Sequence, residues 1–292
     1  MQYWTLFVDT LRGYADYLYR EITHPGIHNY FYMLIAVSLL VYALELMLPW
    51  RKHQRRIRRD FWLDAFYMFF NFFLFSLLGF AALFQVGVQA FNDILGRFGI
   101  ENLVAIHIEA WPNWVQLLVL FVVRDFVHWN VHRLLHRVPL LWEFHKVHHS
   151  VIEMGFAAHL RFHWMETVVY RTLEYIPLAM IGFGIDDFMI VHATALTIGH
   201  FNHANLKLRL GPLRYVLNNP QMHIWHHMKR FPSTLPYGVN FGISLSLWDY
   251  LFGKAHIPSS GRDIELGFDH VEEFPVTFLE QVVHPWRKQG AA

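Results

Sequence analysis

Three stretches of the chain are apolar for longer than a soluble helix needs, and they set the reading of everything else. Residues 27–49 hold Glu45 as their only charge, close to one end, and are long enough to cross a bilayer. Residues 61–84 form a second such run, with Asp64 near its start. A third begins near Trp114 and stays apolar to Val123, where Arg124 and Asp125 interrupt it. If that helix continues to Arg137 it is roughly 36 Å long, enough to cross and emerge. Residues 167–201 are again mostly apolar, broken by Gly182–Phe183–Gly184 and Asp186–Asp187. Two legs with a turn at 182–187 predict a hairpin that enters and leaves by one face. Ahead of all these, Trp4, Phe7, Leu11 and Leu18 recur at helical spacing among polar residues, which suits a helix lying on a membrane surface. No basic leader with an apolar run resembling a cleavable signal peptide is visible.

Charge orients the spans. Residues 51–59 (RKHQRRIRR) carry six Lys/Arg, whereas 85–113 carry one, Arg97, against three acids. The positive-inside rule then places 51–59 in the cytoplasm, 85–113 and the N-terminus outside, and the more polar region from Leu206 onward in the cytoplasm. The expected fold is an all-α integral membrane protein with four to five transmembrane or re-entrant helices and a cytoplasmic helical cap. Residues 1–113 supply the surface helix and two spans, and 114–292 the chemistry, within one structural domain. Composition agrees: 54% of residues are hydrophobic and only 16% charged, where soluble domains carry roughly 25%. A net charge of +1 gives no reason to expect nucleic acid. Zero cysteines exclude disulfides, zinc fingers, iron–sulfur clusters and a Cys nucleophile.

Histidine is the anomaly. Of 21, fourteen lie between His128 and His227. His132 and His136 are spaced i, i+4 on one helix face. His145, His148 and His149 form an HxxHH motif, and His223, His226 and His227 a second, each placing three rings on one side of a helix. One such motif is expected by chance only about 0.1 times in this composition. Neutral imidazoles in this number suit transition metals and exceed the coordination of one ion, so two ions are expected.

The segment from Asp125 through His132, His136 and His145 to Ser150 resembles the fatty acid hydroxylase/sterol desaturase superfamily. So do Asn202–His203–Ala204–Asn205, Asn219–Pro220 with His223–His227, Tyr237–Gly242 and Trp248–Gly253. The resemblance covers roughly residues 115–285. It implies an integral membrane enzyme in which two iron ions and O2 hydroxylate or desaturate a lipid, with zinc as a non-native occupant. By the same resemblance His132, His136, His145, His148, His149, His223, His226 and His227 are core ligands, and His203 matches a further one. His200 joins them with a spacing shorter than the family's. His128 is either a ligand or a support for one. Asp125 lies on the face of His132 and could hold a ligand imidazole, the alternative being an intrahelical partner for Arg124. Arg161–Glu166 resembles a family segment that follows the second cluster; Glu166 is expected either to orient His163 or a ligand or to form a buried salt bridge. His159 and His192 read as core histidines.

An external electron donor on the cytoplasmic side is implied, because no flavin, nicotinamide or haem fingerprint is evident. Rival readings fit less well. A bis-His haem carrier needs facing pairs deep in the bilayer, and a zinc protease needs HExxH, which is absent. A metal transporter without oxidase activity needs ligands along a path, and only Arg124, Asp125, His192 and Asp186–Asp187 are candidates. Hydroxylation and desaturation, the lipid and the oligomeric state are open at this point.

Overall fold

A computed structural model of the chain describes residues 1–26, 29–183 and 185–289, and they are helical with no strand among them. Three helices are long and apolar enough to cross a membrane: α2 (Tyr30–Met47), α3 (Phe61–Arg97) and α4 (Asn113–Arg137), while α1 (Gln2–Thr23) precedes them. The remaining helices are α5 (Pro139–His149), α6 (Trp164–Ile181), α7 (Ile185–His203), α8 (Pro220–His226), α9 (Leu247–Leu251) and α10 (Phe278–Gln289). The protein is an integral membrane protein.

Two boundaries differ from the sequence reading. The second apolar run does not stop at 84: α3 continues to Arg97, because its later turns keep an apolar face that packs on α1. Within it Gly79 adopts φ 115°, a conformation glycine takes without penalty, so the helix is kinked there. The turns before the kink are widened to π-helix, and the backbone groups this frees find side chains: Tyr14 donates to the Phe72 carbonyl at 3.1 Å. The hairpin of 167–201 forms, with Gly182 in the left-handed conformation capping α6. Asp186 and Asp187 fall in the first turn of α7 rather than in the connection, and Gly184, like Ile27 and His28, lies outside the described residues.

Short-range chemistry sets how the histidine helices meet. Pro139 opens α5 with Val138 alone between it and the end of α4; its missing N–H costs nothing there, and the chain turns back so that α5 faces the end of α4. The Asn219 side chain accepts from the Met222 N–H and caps α8, again with proline at the first helical position. A core of Leu18, Leu34, Met68, Phe73, Leu160 and Leu196 joins α1, α2 and α3 to the hairpin.

Candidate metal centre

Nine buried imidazoles converge from α4, α5, α7 and α8. His132, His136, His145, His149 and His226 form one group, and His148, His203, His223 and His227 the other; within each, one nitrogen per ring lies within 4.8 Å of all the others. The groups adjoin: the His145 ring stacks on His148 at 5.3 Å, and His149 on His227 at 4.5 Å. Burial pushes His145, His149, His223, His226 and His227 well below the usual imidazole range and His148 down to about 4, so these rings are neutral at neutral pH.

Tautomers follow from the outward contacts. Nδ1 of His132 donates to the Phe241 carbonyl at 2.8 Å, and Nδ1 of His226 to the Val239 carbonyl at 2.8 Å. His148 donates to the Arg161 carbonyl at 3.0 Å, His203 to the Gly199 carbonyl at 2.8 Å, and His145 to the Glu166 carboxylate at 2.8 Å. Each neutral ring has spent its proton outward, so its Nε2 is a bare lone pair aimed inward. Nε2 of His203 nevertheless lies 3.3 Å from Nε2 of His148, with no proton to share. Nε2 of His132, His136 and His145 is buried with no hydrogen-bond partner among the described residues. Converging bare lone pairs repel, and buried acceptors without donors are costly. A cation relieves both, since nitrogens sharing one ion at roughly 2.0–2.1 Å lie about 3 Å apart. The residues present therefore fit transition-metal ions.

From this centre a cavity of about 220 Å³ runs between α3, α4, α6 and α7. His132, His145, His148, His203 and His223 stand at one end, and Arg124, His128, Arg171, Glu174 and His192 farther along. Its apolar walls include Phe72, Phe80, Leu160, Phe162 and Leu196. Phe80 also borders a larger apolar groove of about 750 Å³ between α3, α6 and α10.

Residues 117–254, which contain all nine imidazoles, match the fatty acid hydroxylase family. The chain carries a fatty acid hydroxylase domain. It is 32% identical over 182 residues to the ornithine lipid hydroxylase OlsE of Rhizobium tropici, covering 62% of this chain and 54% of that one. It is 28% identical over 178 residues to the alkylglycerol monooxygenase of Xenopus tropicalis, covering 60% and 36%. It is 26% identical over 140 residues to the very-long-chain aldehyde decarbonylase GL1-6 of Oryza sativa subsp. indica, covering 44% and 21%. The matched segment thus spans about half of the first relative and about a third or less of the others. No solved structure matches the chain.

Inside the fatty acid hydroxylase domain the loop 239–246 supports the imidazoles. Asp249 accepts from the N–H groups of Phe241 at 2.9 Å and Gly242 at 2.8 Å and from Trp129 Nε1 at 2.9 Å. Gly238 takes φ 121° here, and a Cβ on it would press on His136 Nδ1 at 3.1 Å. Asp125 does not reach a ligand imidazole, nor does it pair with Arg124. It accepts from the Ser244 N–H at 3.0 Å and from Trp248 Nε1 at 2.9 Å. Seven residues along a helix are roughly 10 Å, too far to touch His132, and the loop inserts between. Asp125 and Asp249 thus act on His132 through the Phe241 carbonyl.

Four other expectations sort by geometry. Glu166 holds His145, one of the roles the sequence left open. His163 is not in the cavity: its Nδ1 accepts from Met165 N–H and caps α6, and its Nε2 donates to the Val282 carbonyl at 3.0 Å, tying down α10. His200 joins neither imidazole group. Its two nitrogens face Ser38 Oγ at 3.1 Å and His159 Nδ1 at 2.9 Å, because its position on α7 turns it toward α2. His128 bonds Glu174 at 3.2 Å. The carbonyls of Phe241, Val239, Arg161 and Gly199 were invisible to sequence reasoning. Glu174 carried a signal that went unread, a carboxylate ten residues into an apolar helix.

Proposed function

We propose that this protein is a membrane-embedded lipid oxidase that uses O2 to hydroxylate or desaturate a lipid. The observation that carries the reading is the pair of adjoining imidazole groups, lone pairs inward, opening on a cavity whose walls turn apolar. His132, His136, His145, His149 and His226 would hold one iron ion and His148, His203, His223 and His227 the other. The ions would supply the oxidising power against an unactivated C–H bond that no side chain has. Zinc in their place would be a non-native occupant.

The chain's own residues do the rest. Backbone carbonyls and Glu166 keep the ligand protons on the outer nitrogens, so the inner lone pairs stay available as neighbouring charge changes. Phe72, Phe80, Leu160, Phe162 and Leu196 exclude water and hold an acyl or sterol segment against the centre. The cavity has room for roughly seven groups of water size, so most of a lipid lies outside it. The 750 Å³ groove beyond Phe80 suits the remainder. In this reading residues 1–113 furnish the membrane anchor and one cavity wall, 114–292 carry the chemistry, and electrons arrive from a separate cytoplasmic donor. In this reading the imidazoles share the cytoplasmic side with the basic 51–59 stretch, so reporter fusions at residues 55 and 100 should report opposite compartments.

Metal analysis of purified protein, with mass spectrometry of membrane lipids from cells with and without the protein, tests the function. Two iron ions per chain and a lipid that has gained one oxygen or lost one hydrogen pair are expected. Metal-free protein with unaltered lipids would overturn it.

A further inference from the structure

Along the cavity from the imidazoles, at membrane depth, lies a second polar cluster whose accounting does not close. Arg124 Nε donates to Glu174 Oε1 at 2.6 Å, and a terminal nitrogen of Arg124 lies 3.2 Å from His192 Nδ1. The same carboxylate oxygen takes His128 Nε2 at 3.2 Å. With Nδ1 accepting, His192 offers its Nε2 proton to the Tyr30 hydroxyl at 3.0 Å. Arg124, Glu174, His128 and His192 therefore satisfy one another.

Arg171 is left over. Arg171 lines the cavity and, among the described residues, makes no hydrogen bond and no ion pair at contact distance; its Cζ lies 5.2 Å from the Phe188 ring, and Glu174 acts on its charge from farther away. Arg124 lies against the same ring at 5.4 Å, so two guanidiniums share one carboxylate. Glu166, the other acid in the cavity wall, is committed to His145. Beside Arg171, Tyr170 also lines the cavity, and its hydroxyl makes no hydrogen bond among the described residues. An unpaired cation at this depth is expensive and marks a substrate path more often than a structural tie. Its planar fork of donors matches a carboxylate or phosphate.

We propose that Arg171, with Tyr170 and backed by the Arg124–Glu174 pair, binds an anionic group, carboxylate or phosphate, of the lipid to be oxidised. Arg124 and His132 are eight residues apart on α4, so the anion sits about 12 Å along the cavity from the imidazole centre. The bound charge neutralises the cavity and fixes which carbon reaches the metals. This rests on the lipid-oxidase reading, and its test is kept separate.

The test is equilibrium binding to the purified, metal-loaded protein in neutral detergent, using a fatty acid, an alkyl phosphate and a fatty alcohol of equal chain length. Wild type should bind at least one of the anionic probes roughly ten- to hundredfold tighter than the alcohol. Arg171→Gln should abolish that gap, and Arg171→Lys should keep part of it, with metal content unchanged in both. The stronger of the two anionic probes identifies the headgroup chemistry. Equal binding of all three probes by wild type, or an intact gap in Arg171→Gln at full metal content, overturns the proposal. A wild type that oxidises no lipid removes the parent reading yet leaves this comparison decisive.

Discussion

The imidazole centre and the arginine–glutamate cluster are both buried and both polar, and they line one cavity between the same helices. Their unsatisfied atoms have opposite sign. At the imidazole end five rings, His132, His145, His148, His203 and His226, direct their protons outward to carbonyls or Glu166, which leaves their inner nitrogens bare. Around Arg171 the acceptors are already taken, and a donor-rich side chain in the cavity wall is left without a hydrogen bond among the described residues. The first region awaits a cation and the second an anion. What a buried polar cluster will bind is read from which atoms remain unpartnered, not from its residue types, since histidine belongs to both.

The comparison can be broken at several points. The largest effect is expected at the inner nitrogens: His148→Ala or His226→Ala should abolish metal retention and lipid oxidation, whereas His256→Ala or His270→Ala should stay near wild type. Wild-type oxidation in folded His148→Ala would mean that the imidazole centre does not carry the oxidation and would overturn the oxidase reading of it. Next comes Glu174→Ala, which strands Arg124 without a counter-charge; breaking a buried pair costs about 3–5 kcal/mol, read as a lowered melting temperature. A melt close to wild type would mean that water already solvates the cluster.

A smaller loss is expected from Asp249→Asn or Asp125→Asn, which loosen the loop carrying the Phe241 carbonyl. Supports of this kind cost about 10–100-fold in metal affinity. Competition with a chelator measures it, and unchanged affinity would mean that the loop holds itself. The smallest is His200→Ala. It removes hydrogen bonds to Ser38 and His159, worth about 1 kcal/mol each, and should leave metal content unchanged. A metal loss as large as that of His203→Ala would move His200 into the ligand set.

Much of this protein was legible before any coordinates. Runs of apolar residues fix helices because a bilayer offers the backbone no other partner, so α2, α4 and the hairpin could be placed from pattern alone. The HxxHH and HxxxH spacings put rings on shared helix faces, and nine of the ten expected ligands do converge. Spacing along one helix, however, says nothing about which neighbouring helix a face meets. His200 and His203 sit three residues apart on α7, and rotation about that helix sends one toward Ser38 and the other toward His148. Asp125 stands out in the sequence as a carboxylate in an apolar run, but its partners are neither a ligand imidazole nor Arg124, because the loop it holds is more than a hundred residues away in the chain. The carbonyls that orient the ligands belong to the backbone, which every residue shares, so no side-chain code announces them. Residue type and period thus determined the helices and the chemistry they carry. Long-range packing decided which lone pairs face inward, which acids serve as supports, and that Arg171 makes no hydrogen bond among the described residues.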